Sequence, residues 1–173
     1  MEIRPLRTEA ELAQALELTA AAWREAFDHV LSANELDDIA AATTSDVAAK
    51  FETLDDAPET AVLVAENDTG DVVGWISVTW HPDRTQKYAR AGEADLRTLY
   101  VRPSDWEEGV GTALLDAALD WLPESVNCVV LETFRANEQG RSFYESRGFA
   151  VREQCEHAVG ENSYPAVVLE REV

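Results

Sequence analysis

A chain of 173 residues, 46% of them hydrophobic, is long enough to fill one core, and no Pro/Gly/Ser-rich linker or repeat divides it, so one domain over residues 1–173 is expected. Its 34 acidic side chains against 14 basic ones give a formal charge of −20, which argues against nucleic acid and anionic membrane as partners, since phosphate backbones are bound by basic patches. The longest apolar runs, such as Ala61–Ala65, fall far below the ~18 residues of a membrane span, and the N-terminal MEIRPLRTEA holds no hydrophobic signal region, so a cytoplasmic protein is expected.

Met1 to Pro5 alternates like a first strand, and Thr8 with Glu11 forms a capping-box signature that opens a helix carrying Leu12, Ala15, Leu16, Thr19, Ala22, Trp23, Ala26 and Phe27. A second helical stretch covers Asn34 to Ala42, and a third runs from Ser45 towards Leu54. Ala61–Glu66 and Val72–Trp80 read as strands of a hairpin, joined by the turn-rich Asn67-Asp68-Thr69-Gly70-Asp71. A polar loop from His81 to Gly92 precedes the strand of residues 94–101.

From Leu96 to Leu115 the chain reads LRTLYVRPSDWEEGVGTALL: an apolar strand, a Pro turn, a loop with two glycines, then a helix. Val110, Leu114, Ala117, Ala118, Trp121 and Leu122 fall on one side of that helix, while Thr112, Asp116 and Asp120 recur at i, i+4 and i+8 on the other, and Pro123 stops it. Glycines let backbone approach a ligand without a Cβ in the way, and a helix start points unpaired N–H groups outward. The arrangement suits a phosphate or pyrophosphate, although many α/β loops carry glycine only to turn tightly.

Downstream lie the strand Val126–Thr133, a helix over residues 138–147 that Asn137 can cap, a strand from Phe149 to about Glu156, and a last strand from Ala166 to Arg171. The two glycine-bearing segments together resemble the GNAT superfamily of N-acetyltransferases. Trp106-Glu107-Glu108-Gly109-Val110-Gly111 stands where the family has Q/R-x-x-G-x-G/A, and Asn137, Gly140, Tyr144, Gly148 and Phe149 match its N-x-x-A/G-x-x-x-Y-x-x-x-G-F stretch. The match runs from Leu96 to Phe149, with both halves in the family's order and separation. It departs from the pattern at Trp106, in place of Gln or Arg, and at Glu108, where a basic residue is frequent; neither change removes a backbone donor.

The resemblance implies a mixed α/β fold with a mostly antiparallel sheet of six to seven strands, splayed between strands 4 and 5, and helices on both faces. It also implies acetyl-CoA as the acyl donor, with pantetheine along the backbone of Leu99, Tyr100 and Val101 and pyrophosphate on the amides of Glu107, Glu108, Gly109, Val110, Gly111 and Thr112. Asn137 would contact the pantetheine or adenylate side, or simply cap its helix. Tyr144 matches the tyrosine that protonates the departing thiolate; its plain alternative is packing. An alkyl amine is protonated at neutral pH and needs a base. Glu132 is the first candidate, five residues before Asn137 and twelve before Tyr144, a spacing that looks like that of ribosomal-protein N-terminal acetyltransferases. Glu93 and Asp95 are reserves, and Glu132 otherwise reads as a solvated strand-end carboxylate.

Trp23, Phe27, Asp28 and Glu35 on one side, with Trp80, His81 and Tyr164 on the other, are candidates for an acceptor cleft, or else core aromatics and solvated charges. The expected partner is a small-molecule or peptide amine, and family members often form homodimers. A non-catalytic acetyl-CoA sensor and transfer of another acyl group are the rival readings. No metal is expected, because Cys128 and Cys155 lack CxxC spacing and His29, His81 and His157 are scattered. Cys128 reads as a small buried hydrophobe. The acidity fits a surface adapted to concentrated salt, where screening to about 3 Å at 1 M removes most self-repulsion and makes Glu108 tolerable; an acidic groove for a cationic substrate is the other explanation.

Overall fold

The computed structural model describes residues 1–173. In chain order the elements are β1 (Glu2–Pro5), α1 (Glu9–Phe27), α2 (Ala33–Thr44), α3 (Val47–Asp55), β2 (Thr60–Glu66), β3 (Val72–Thr79), β4 (Glu93–Val101), α4 (Val110–Asp120), β5 (Cys128–Phe134), α5 (Glu138–Glu145), β6 (Ala150–Val159) and β7 (Asn162–Glu172). The seven strands form one sheet in the order β1-β2-β3-β4-β5-β7-β6. Every neighbouring pair is antiparallel except β4 with β5.

α1 starts as its sequence dictates. The Thr8 side chain accepts from the Glu11 amide while the Glu11 carboxylate accepts from the Thr8 amide, an arrangement of the kind that contributes about 1 kcal/mol. Its apolar stripe, with Leu12, Ala15, Leu16 and Leu18, packs on Val64, Val72 and Trp75 on one sheet face. α4 covers the other face, its Val110, Leu114, Leu115 and Ala118 joining Leu63, Ile76, Val129 and Leu131. Gly74 of β3 makes that approach close: a Cβ there would stand 3.0 Å from Leu114 Cδ1 and 3.1 Å from Val110 Cγ1.

Several boundaries differ from the sequence reading for physical reasons. Trp121 is 52% exposed and not part of the buried face, because α4 ends at Asp120 and Trp121 is its C-cap; Leu115 takes the core position instead. α3 begins after Asp46, whose left-handed φ of 49° breaks the chain away from α2. β6 and β7 are longer than expected and turn at Gly160, with a φ of 57°. The tip of this hairpin is bound to the start of α2, where Glu35 accepts from Asn162 Nδ2 (2.8 Å) and from the Tyr164 hydroxyl (2.7 Å).

Candidate functional site

The sheet opens at its one parallel pair. β4 and β5 are in register only from Glu93↔Cys128 to Asp95↔Val130, and beyond that the strands part. A bulge contributes: Val78 faces Leu96 and Ser77 faces Thr98, leaving Arg97 as an extra residue in β4, and an extra residue bends a strand and increases its twist.

The ladder to β3 shows which amides the opening frees. Arg102 N–H donates to Val73 C=O at 2.8 Å, and alternation along the antiparallel register turns the backbone of Tyr100 and Thr98 towards β3 as well. Leu99 and Val101 therefore present their backbone to the gap. This corrects the expectation that Tyr100 offers its amide there; Tyr100 contributes its side chain, whose hydroxyl accepts from the Trp23 indole at 2.9 Å. The Trp106 indole donates to Val101 C=O at 2.8 Å, so the residue replacing the family's Gln or Arg occupies that carbonyl and leaves the Val101 N–H and both polar groups of Leu99 open.

The gap belongs to a cavity of about 560 Å³ that continues to the start of α4. Glu107 and Gly109 both take positive φ, 65° and 85°, to wrap the chain into the helix. The first bond into α4 runs from Ala113 N–H to Gly109 C=O, and no side chain caps the helix, so the amides of Val110, Gly111 and Thr112 are its unpaired donors. Glu107 lines the cavity, whereas Glu108 is exposed outside it. Phe143 of α5 closes over Gly111, with its ring edge 3.3 Å from where a Cβ would sit.

Sequence reasoning missed a cation here. Arg147, one turn past Phe143, stacks its guanidinium 3.8 Å over that ring and hydrogen-bonds to Thr112 Oγ1 in the first turn of α4. Its Nε is buried with no protein partner. Arg147, just past the end of α5, thus sets a cation beside the first turn of α4. The only signal in the sequence was a basic residue four positions after an aromatic on one helical face.

Tyr144 and Glu132 face the middle of the cavity. Tyr144 is buried edge-on between Phe143 and Phe149, at centroid distances of 5.1 and 5.4 Å. Burial, with a smaller contribution from Tyr100, pushes its phenol well above the ordinary range, so the proton stays on the ring oxygen at neutral pH. Asn137 caps α5: its Oδ1 accepts from Gly140 N–H at 3.0 Å, and its Nδ2 donates to Thr133 Oγ1 at 3.0 Å. The side chain lies against the cavity, and a Cβ at Gly140 would stand 2.2 Å from Nδ2, so a larger residue there would have to displace the Asn137 side chain.

Glu132 is not a lone strand-end carboxylate. Its Oε1 lies 2.5 Å from His157 Nδ1, and its Oε2 accepts from the Cys155 thiol at 3.4 Å. Burial, aided by that bond, pushes the thiol up to about 11. His157 was passed over in the sequence because β6 sits 25 residues away and pairs with β7, not with β5.

Of the acceptor candidates, Phe27 reaches the cavity, and Trp23 stacks edge-on against it at 4.8 Å. Glu93 and Trp80 do not line it. Glu93 is turned away by a two-pronged pair with Arg152, at 2.5 and 2.9 Å, and Trp80 follows the end of β3 and packs against the main core. Asp95 is fully buried, where it accepts from Gln86 N–H and the Tyr88 hydroxyl, and burial raises its pKa. Glu35 is held at about 2 by its bonds from Asn162, Ser32 and Tyr164, and serves the hairpin, not the cavity. No helix is long and apolar enough to cross a membrane.

The sequence model of the acetyltransferase (GNAT) family matches residues 14–149. No curated protein matches the sequence closely enough to count as a relative. Among solved structures, the PaiA N-acetyltransferase of Thermoplasma acidophilum in complex with coenzyme A superimposes with a TM-score of 0.78 at 20% identity, over 99% of this chain and 98% of that one. The ribosomal-protein-alanine N-acetyltransferase of Brucella melitensis superimposes with a TM-score of 0.72 at 20% identity, over 100% of both chains. At such identities the likeness is one of fold.

Proposed function

The chain belongs to the acetyltransferase (GNAT) family, and from that premise we propose that it moves an acetyl group from acetyl-CoA directly to a primary amine of a small molecule or a protein N-terminus. The observation that carries this reading is the alignment, in one cavity, of the freed β4 edge with the unpaired amides of α4. The residues present fit such a donor. Val110, Gly111 and Thr112 offer amides to a pyrophosphate, Arg147 offers a charge, and Leu99 and Val101 offer an apolar strip with backbone groups for the pantetheine amides.

In this mechanism the β4 amides also polarise the thioester carbonyl, holding the charge that develops on its oxygen. Glu132 takes the proton of the acceptor ammonium. Tyr144, kept protonated by burial, donates to the departing sulfur; a thiol has a pKa near 8.5 and leaves readily, so Tyr144→Phe is expected to slow turnover about 10²-fold. The charge of −20 supports a cytoplasm of high salt as the working medium.

The test is thiol release from acetyl-CoA in molar KCl with amines, amino acids and N-terminal peptides offered in turn. Release dependent on one acceptor supports the transferase and names its substrate class. Tight acetyl-CoA binding with no release for any acceptor replaces the reading with a sensor, and a Tyr144→Phe rate equal to the parent's removes Tyr144 from the mechanism.

A further inference from the structure

We propose that Glu132 and His157 act as one base, with the carboxylate facing the acceptor amine and the imidazole carrying the proton out to solvent. The inference rests on the transferase reading, but the pairing is a property of this chain's own geometry. Glu132 lines the cavity with its side chain 20% exposed, whereas His157 is 45% exposed on β6 at the other side of the same carboxylate. The 2.5 Å separation of Oε1 and Nδ1 is short for a hydrogen bond between oxygen and nitrogen, as expected where one partner is charged. The Phe134 ring stands edge-on to the imidazole at 5.4 Å and fixes its plane.

A half-buried carboxylate that has taken a proton from an ammonium must lose it before the next turnover. Around Glu132 the other titratable groups are poor exits. Cys155 on β6 is itself a donor, with its thiol pushed up to about 11; Asp95 on β4 is fully buried; and Tyr88 hydrogen-bonds to Asp95, with its phenol held above the ordinary range. Lys87 and Glu153 lie near Cys155 and do not bond Glu132. Of the two side chains that bond the carboxylate, Cys155 is already a thiol donor, whereas His157, its ring 45% exposed, opens to water. The step balances from the tautomer with the ring proton on Nε2: the ammonium gives its proton to Glu132, Glu132 passes it to Nδ1, the imidazolium so formed loses its Nε2 proton to water, and exchange with solvent returns the ring to the Nε2–H tautomer before the next turnover. The thiol of Cys155 holds the second carboxylate oxygen in place throughout.

The experiment has an arm that does not depend on turnover. The His157 ring-nitrogen resonances are recorded by NMR in the parent protein and in Glu132→Gln at one neutral pH, without any acceptor; the pairing predicts that the Nδ1 resonance moves when the carboxylate is replaced. An unchanged Nδ1 resonance overturns the proposal whatever the enzyme's activity. The second arm uses the acceptor found by thiol release. His157→Asn, which preserves a polar contact but cannot carry a proton, should lower kcat by about 10- to 100-fold while leaving the KM for acetyl-CoA in place, and added imidazole should restore turnover to His157→Ala. A His157→Asn variant with the parent's rate and pH profile overturns the relay, and failure of every acceptor in the parent overturns the transferase reading alone.

Discussion

Replacing Glu93 by Gln separates a structural clamp from an acceptor-site role. Glu93 and Arg152 are 8% and 7% exposed, and the guanidinium meets the carboxylate through both terminal nitrogens, at 2.9 and 2.5 Å, while Arg90 N–H bonds the same carboxylate at 2.8 Å. Gln keeps the size and removes the charge. Stranding one member of a buried pair costs about 3–5 kcal/mol, and because Glu170 still contacts Arg152 the lower end, about 3 kcal/mol, is expected here. For a domain of this length that corresponds to a fall in Tm of roughly 6–12 °C. The bond from Arg152, against the opposing effect of burial, holds the Glu93 carboxyl below its ordinary value. A depressed carboxyl contributes stability that is complete above its unfolded pKa, about 4.3, and is lost as pH falls through the folded value. The gap between parent and variant, read by thermal unfolding in molar KCl, should therefore be constant from neutral pH to about 5 and close below that. Well below its Tm, the variant should keep kcat and acceptor KM within about twofold. A gap that does not narrow in acid, or a large rise in acceptor KM with little loss of Tm, would refute the clamp.

Two further outcomes are expected. Arg147→Ala should raise the KM for acetyl-CoA about tenfold, or about 1.4 kcal/mol, with kcat little changed, and the effect should shrink as KCl rises; a KM equal to the parent's in the lowest salt that keeps the protein folded would show that the amides of α4 suffice. With a charge of −20, Tm should climb steeply between dilute and molar KCl as the screening length falls from about 10 Å to about 3 Å, and a flat Tm would return the acidity to substrate steering.

What the sequence reveals here is local, and what it hides is mostly contact between distant segments. The Thr8–Glu11 capping box, the glycines at 109 and 111 and the cap at Asn137 are decided within a few residues, and each stands where the pattern places it. The sheet was legible in outline through the same local signals. The bulge at Arg97 has no sequence mark, because a bulge is defined only against the partner strand. The pairs that redefine the side chains link residues 25, 35 and 59 apart: Glu132 with His157, Thr112 with Arg147, Glu93 with Arg152. β6 carries Arg152, Glu153, Gln154, Glu156 and His157 and has no fully buried residue, so no apolar rhythm announces its length.

The cavity follows from one feature of topology. A single parallel pair inside an otherwise antiparallel sheet is held for three residues, after which the bulge bends β4 away and the Trp106 indole fastens its far end. Gly74 then lets α4 settle against β3, so the freed strand edge and the helix start border the same space. These donors are backbone, and backbone tolerates exchange of the side chains around it. That is why Trp106 and Glu108 can break the family pattern without closing the cavity, and the fold is shared with solved structures at 20% identity. On the proposed mechanism side-chain identity counts at Tyr144, Glu132 and Arg147, which line the cavity, and at His157 behind Glu132, so substitutions there should change rate or affinity while the backbone that shapes the cavity stays in place.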